Sequence, residues 1–155
     1  IALENQEYKD TPLLNQLPYI QEILSNFQTK IEAVRFMKLG ANSFIKTHVD
    51  KGSSFEDGLL RLHIPITSNN EVEFTINNKF FNMQVGKSYY INANLPHSVN
   101  NHSNEERIHL LIDCQVNDCM EEVFKKEGCI KPLYKYGTKN ITNENIIDAV
   151  IESLN

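Results

Sequence analysis

The chain has 155 residues and a formal net charge of -5, and its only adjacent basic pair on a helical stretch is Lys125-Lys126. That length supports one domain with a substantial core, and the acidic balance argues against a phosphate-backbone reader, which needs a concentrated basic surface. No apolar run reaches bilayer-spanning length and no signal-peptide pattern is visible, so a cytoplasmic protein with neither a membrane nor a nucleic-acid partner is expected. The first residue is Ile1 rather than Met, which leaves room for a preceding piece. Cys114, Cys119 and Cys129 are odd in number and lack C-x-x-C spacing, so reduced structural thiols are expected rather than a disulfide framework or a zinc knuckle.

Residues 1–30 read as a helical flank. Thr11-Pro12 sets a capping-type residue before a proline, and Pro18 opens a segment, Tyr19 to Phe27. There Ile20, Ile23, Leu24 and Phe27 share one face at helical spacing, which predicts a helix packed on the outside of a sheet. From residue 31 the period falls to two. Ile31 to Leu39, Leu59 to Thr67, Glu71 to Ile76, Lys79 to Gln84, Ser88 to Asn92 and Arg107 to Cys114 are strand candidates. Turn signals separate them at Gly40, 52–54, Asp57-Gly58, Asn69-Asn70, Asn77-Asn78, Gly86 and 100–104. Asn77-Asn78 predicts a tight hairpin, because asparagine accepts positive φ. Short strands punctuated this regularly predict a mainly β architecture with flanking helices, best satisfied by a jelly roll over residues 31–116.

After Cys114 the helical period returns. Asp118 to Lys126 carries Met120, Val123 and Phe124, with Gly128 placed to end the helix. A linker with Pro132 and Gly137 leads to a second predicted helix, Asn143 to Leu154, capped by Thr142. Its stripe of Ile146, Ile147, Val150, Ile151 and Leu154 suits barrel support or a homodimer contact equally. Residues 117–155 are therefore expected to be C-terminal helices of the same single domain.

The chemistry-bearing residues are His48, Asp50 and His97, followed by Arg107. Two imidazoles and a carboxylate are the facial set that holds non-haem Fe(II) while leaving coordination positions open. His48 and Asp50 stand two apart after the extended run Phe44 to Thr47, and such residues share one strand face. Alone, H-x-D is a weak signal, because ordinary surface or hydrogen-bonded histidines also produce it.

In the strand from Arg107, alternation puts Arg107, His109, Leu111 and Asp113 on one face and Ile108, Leu110, Ile112 and Cys114 on the other. The second face is uniformly apolar and should pack against helices, so the first should point into the barrel. A guanidinium there needs an anion, and a bidentate carboxylate is the best geometric match. The alternative is a strand-end arginine in solvent. Leu59 to Ile66 repeats the pattern, with Leu60, Leu62, Ile64 and Ile66 on one face and Arg61, His63 and Pro65 on the other. That polar face lines the cavity inside a jelly roll and is plain amphipathic surface otherwise. The loop Lys51 to Asp57, beside the H-x-D pair, is a candidate lid or a flexible surface connection.

The segments Arg35 to Gly40, Ile45 to Asp50, Arg61 to Ile66, Gly86-Lys87, Leu95 to Asn101 and Glu106-Arg107, in that order, resemble the aspartyl/asparaginyl β-hydroxylase family. The resemblance covers residues 31–116. It implies a double-stranded β-helix of cupin type, with Fe(II), 2-oxoglutarate as co-substrate and O2. It also implies that His48, Asp50 and His97 are the catalytic metal ligands and that Arg107 grips the distal carboxylate of 2-oxoglutarate. His63 would lie beside the co-substrate and Arg61 near the co-substrate or substrate. On its own residues, the chain offers Arg61 and Arg35 as candidates to hold a substrate carboxylate. Asp50 places the chain nearer the bacterial branch, which includes hydroxylases of free amino acids such as proline. The implied substrate is an amino acid or a peptide side chain, hydroxylated as 2-oxoglutarate yields succinate and CO2. Two other readings stand beside this one. A cupin-type metal dioxygenase or isomerase without a 2-oxo acid would have no use for Arg107, and a non-catalytic binding module would have no reason to keep three converging ligands.

Overall fold

The computed structural model describes residues 9–126 and, as backbone, 150–152. After a 3-10 turn at Leu14–Gln16 come α1 (Pro18–Ser25), β1 (Ile31–Leu39), β2 (Ser43–His48), β3 (Leu59–Thr67), β4 (Val72–Ile76), β5 (Lys79–Phe81), β6 (Lys87–Tyr90), β7 (His97–Asn101), β8 (Arg107–Gln115), α2 (Asp118–Lys126) and β9 (Val150–Glu152). The strands form two antiparallel sheets, ordered β1-β8-β3-β6-β9 and β2-β7-β4-β5. The chain changes sheet at almost every connection, which is the winding of a jelly roll, the double-stranded β-helix.

Strand alternation builds two cores. Between the sheets lie Leu39 and Tyr89 from one side and Val72, Phe74, Ile76 and Val99 from the other, with Met83, Ile91 and Ala93. On the outer face of the larger sheet, Leu60, Leu62, Leu110, Ile112 and Cys114 pack with Phe55, Tyr90 and Phe124. Ile20, Leu24 and Phe27 close over that face. The apolar sides of β3 and β8 thus meet the helices, and their polar sides turn into the barrel. Asn77 and Asn78 have φ of 46° and 62°, the two positive values that a type I′ hairpin between β4 and β5 requires.

One expected element is different. Within the predicted helix Asn143 to Leu154, residues Val150–Glu152 form a strand that pairs with β6 through Lys87↔Glu152, Ser88↔Ile151 and Tyr89↔Val150. A sheet edge offers a row of unmet backbone donors and acceptors, and β-branched Val and Ile suit it better than their local helical period suggests. The rest of that segment, its cap Thr142, Gly128, Cys129 and the Pro132/Gly137 linker lie outside the described residues. No described helix is long and apolar enough to cross a membrane.

Candidate active site

His48 ends β2 and His97 begins β7, and the two are paired across the sheet. Their apposition depends on an irregularity. Ile45 pairs with Val99, so a regular ladder would set Thr47 opposite His97 and turn His48 outward. An extra residue between Ile45 and His48 bulges β2 and brings His48 onto the face of His97 instead. Their ring centroids are 4.2 Å apart. Asp50 lies just past the strand, so its proximity comes from an anchor and not from the i, i+2 geometry expected for a continuous strand. Its amide donates to the Ala93 carbonyl at 2.9 Å, which ties it to the strand-connecting loop before β7. One donor atom from each of His48, Asp50 and His97 lies within 4.8 Å of the others.

Both imidazoles are held in the tautomer that a metal needs. Nδ1 of His48 is 2.8 Å from the Lys46 carbonyl oxygen, and Nδ1 of His97 is 2.9 Å from that of Leu95. A carbonyl only accepts, so each Nδ1 carries a proton, and in the neutral ring each Nε2 presents a lone pair. Burial lowers the His97 pKa, opposed by the Leu95 hydrogen bond and aided by nearby His48, which favours the neutral, ligating form. His97 is buried, whereas His48 and Asp50 are partly open at the barrel mouth.

Deeper in the barrel is a second constellation. Arg107 is 3% exposed, and its Nη2 donates to Nδ1 of His109 at 2.7 Å. Among the described residues it has no carboxylate partner, and its Nε meets nothing. Burial lowers its pKa to about 10, which still leaves it charged at neutral pH. His109 must keep Nδ1 free of a proton to accept from Arg107, so its proton sits on Nε2, a buried donor that is also without a partner. Burial, then the charge of Arg107, push the His109 pKa down to about 2. His63 Nδ1 lies 3.4 Å from the same His109 nitrogen, and its Nε2 is a third buried nitrogen without a partner. Burial, followed by His109 and Arg107, holds His63 well below the usual imidazole range. Phe74 separates the two constellations: its ring is parallel to His97 at 6.2 Å and edge-on to His63 at 5.6 Å.

Arg61 and Arg35 converge on Asp113. Asp113 accepts Arg61 Nε at 2.8 Å and Nη2 at 3.1 Å, and also pairs with Arg35 Nη2. Arg61 Nη1 is bound to Oδ2 of Asp50. Burial alone would lower the Arg61 pKa, but the two carboxylates outweigh it and raise it. All three guanidinium nitrogens of Arg61 are thus engaged, while Arg35 uses only Nη2 and keeps a free Nε. His109 and Asp113 were absent from the candidate site residues. The signal was there in β8, whose alternation puts them on the same inward face as Arg107.

The loop from Lys51 to Asp57 is tied down by burial and hydrogen bonds. Ser53, Ser54 and Phe55 are buried, Asn94 accepts from the amides of Gly52 and Ser53, and Ala93 N donates to Ser53 O at 3.1 Å. Asn94 also donates to Asp57, and Ser54 caps the short turn at Phe55–Asp57.

A two-nitrogen, one-carboxylate donor set suits a divalent first-row transition metal with several positions left for other ligands. The buried, unmatched guanidinium and its two histidines suit an anion. The sequence is 31% identical over 105 residues, 66% of this chain, to the L-proline cis-4-hydroxylase of Rhizobium meliloti (strain 1021), of which that stretch is 37%. Solved structures with similar folds include the Schizosaccharomyces pombe Cnp3 cupin domain, at 13% identity and a TM-score of 0.44 over 64% of each chain. Another is a Cupin 2 conserved barrel domain protein from Salinispora arenicola CNS-205, at 11% identity and a TM-score of 0.40, covering 79% of this chain and 98% of that one. Residues 1–116 match the aspartyl/asparaginyl β-hydroxylase family, and the chain belongs to it.

Proposed function

We propose that this chain carries the catalytic core of an Fe(II)- and 2-oxoglutarate-dependent hydroxylase acting on an amino acid, free or within a peptide. The observation that carries the reading is Arg107, a buried guanidinium without a described counter-ion. A buried charge left unpaired is costly, so a cation placed there is best explained by an anionic ligand that completes it. A co-substrate with a distal carboxylate is such a ligand. A metal dioxygenase or isomerase without a 2-oxo acid would leave that charge unmatched.

In this reading His48, Asp50 and His97 hold the metal through His48 Nε2, His97 Nε2 and one oxygen of Asp50. Arg107 Nε and His109 Nε2–H are the donors for the distal carboxylate. Fe(II) with 2-oxoglutarate and O2 would supply the oxidising power to insert a hydroxyl into an unactivated C–H bond, with succinate and CO2 released. The chain's part is orientation. The Lys46 and Leu95 carbonyls fix the two imidazoles, and Phe74 sets the separation between the metal ligands and the anion pocket. Of the two arginines expected at a substrate carboxylate, Arg35 retains donors for it, and Arg61 is already committed. The named activity of the proline hydroxylase relative supports a free amino acid as the first substrate class to screen.

The test is anaerobic addition of Fe(II), then 2-oxoglutarate, to the folded protein. A visible metal-to-ligand charge-transfer band is expected. Its absence in protein shown to hold iron would overturn the proposal. Succinate release measured across free amino acids and short peptides then reads the substrate.

A further inference from the structure

Asp113 stands outside both the metal ligands and the anion pocket, yet it is the point on which two arginines meet. Its side chain is only 8% exposed, and its two oxygens take Arg61 through Nε at 2.8 Å and Nη2 at 3.1 Å. That two-point grip fixes the plane of the guanidinium and leaves Nη1 as its one remaining nitrogen. Nη1 is spent on Oδ2 of Asp50. The other oxygen, Oδ1, is the one facing Nε2 of His48, at 3.8 Å. One carboxylate oxygen is thereby claimed by the protein, and the other faces His48.

We propose that Asp113 is a positioning residue for the metal centre: by holding Arg61, it keeps Asp50 a one-oxygen ligand. The inference rests on His48, Asp50 and His97 being the metal ligands. A carboxylate free to turn can bind a metal through both oxygens and fill a position that the reaction needs open. With Oδ2 occupied by Arg61, that option is closed, and the protein contributes three donor atoms only. Charge supports the same arrangement. Arg61 without Asp113 would be a half-buried cation whose sole partner is a ligand of the metal, drawing negative charge away from it. Asp113 matches that charge, and Arg35 in turn matches the share of Asp113 that Arg61 leaves over.

The experiment uses Co(II), whose visible spectrum reports coordination number and ligand symmetry, with affinity taken from the same titration. Asp113→Asn keeps the shape and removes the charge. It is expected to alter the Co(II) bands and weaken Co(II) binding roughly 10–100-fold, the usual effect of losing a group that orients a ligand. Asp113→Glu should recover part of both. A purely structural role would lower the melting temperature without changing the bands. A folded Asp113→Asn protein with wild-type affinity and spectrum overturns the proposal. Where that variant does not fold, Arg61→Lys gives the same reading, since an ammonium cannot span both carboxylates: altered bands support the proposal and unchanged bands overturn it. Failure of the wild-type protein to bind Co(II) would overturn the metal centre itself, and this inference with it.

Discussion

Nη2 of Arg107 donates to Nδ1 of His109 across 2.7 Å inside the barrel, and no described carboxylate answers the charge. Among the described residues, then, the desolvation of this cation is incompletely offset. Arg107→Met, of similar length and without charge, should stabilise the ligand-free protein on the order of 1–3 kcal/mol, read from urea unfolding. The wild type should in turn gain about 2.7 kcal/mol from 2-oxoglutarate at a hundred times its dissociation constant, with Co(II) present. The variant should gain nothing at that concentration while still binding Co(II). A variant that loses Co(II) as well would assign Arg107 to the metal centre.

The two histidines beside Arg107 set an acid response. His63 and His109 both have folded pKa values below the ordinary 6.5, His109 at about 2. Above pH 6.5 the histidines are neutral whether folded or not. As pH falls below that value, the unfolded chain takes protons that the folded chain refuses, so stability declines toward acid. From pH 7 to 5 the loss is about 2 kcal/mol for His109, and His63 adds to it in the same direction. His109→Gln removes one titrating group, so its stability should fall less steeply than the wild type's over this range. Equal slopes would place the acid sensitivity elsewhere.

Much of this was legible in the sequence because period-two alternation is a geometric rule. The inward face of β8 and the outward packing of Leu110, Ile112 and Cys114 follow from it directly. The Asn77-Asn78 hairpin was legible for the same kind of reason, since few residues tolerate its backbone angles. The bulge in β2 was not legible. Nothing in Lys46-Thr47 announces an extra residue, because a bulge is defined by what lies across the ladder. The commitments of Arg61 were hidden too: Asp50 reaches it across the Lys51 to Asp57 loop, and Asp113, 52 residues on, is brought alongside only by the register Arg61↔Asp113. The strand at Val150–Glu152 shows the same limit, since an available sheet edge overrode a local helical stripe.

Asn101 provides a stability prediction independent of the chemistry. Its amide donates to the carbonyls of Gly40 and Glu105, and its oxygen accepts from the amide and hydroxyl of Ser103. All four contacts are satisfied in a side chain 2% exposed, and together they join the turn after β1 to the connection between β7 and β8. Asn101→Leu leaves those groups without partners and should cost about 2–4 kcal/mol. Co(II) affinity of the folded fraction should be unchanged, because none of the proposed metal ligands touches this corner. A parallel loss of affinity would mean that the corner sets the β2–β7 apposition.

The last prediction separates a pinned loop from a lid. Asn94 takes the amides of Gly52 and Ser53, while Asp50 is held by the Ala93 carbonyl one residue earlier, so one connecting loop restrains both the loop and a proposed metal ligand. A lid would be mobile without ligand and protected with it. A pinned loop should resist limited proteolysis between Lys51 and Asp57 in both states, with the same cleavage rate before and after Co(II) and 2-oxoglutarate. Asn94→Ala strips the two amides of their acceptor and removes one of the donors to Asp57, which keeps the Ser54 hydroxyl, a local cost of about 1–3 kcal/mol. Cleavage in that loop should then rise about tenfold or more, because local opening scales exponentially with the lost free energy. Asp50 keeps its own anchor to Ala93, so Co(II) affinity should fall by less than the loop loosens. If ligand instead slows cleavage of the wild-type loop strongly, the segment closes over the site and the pinned description fails.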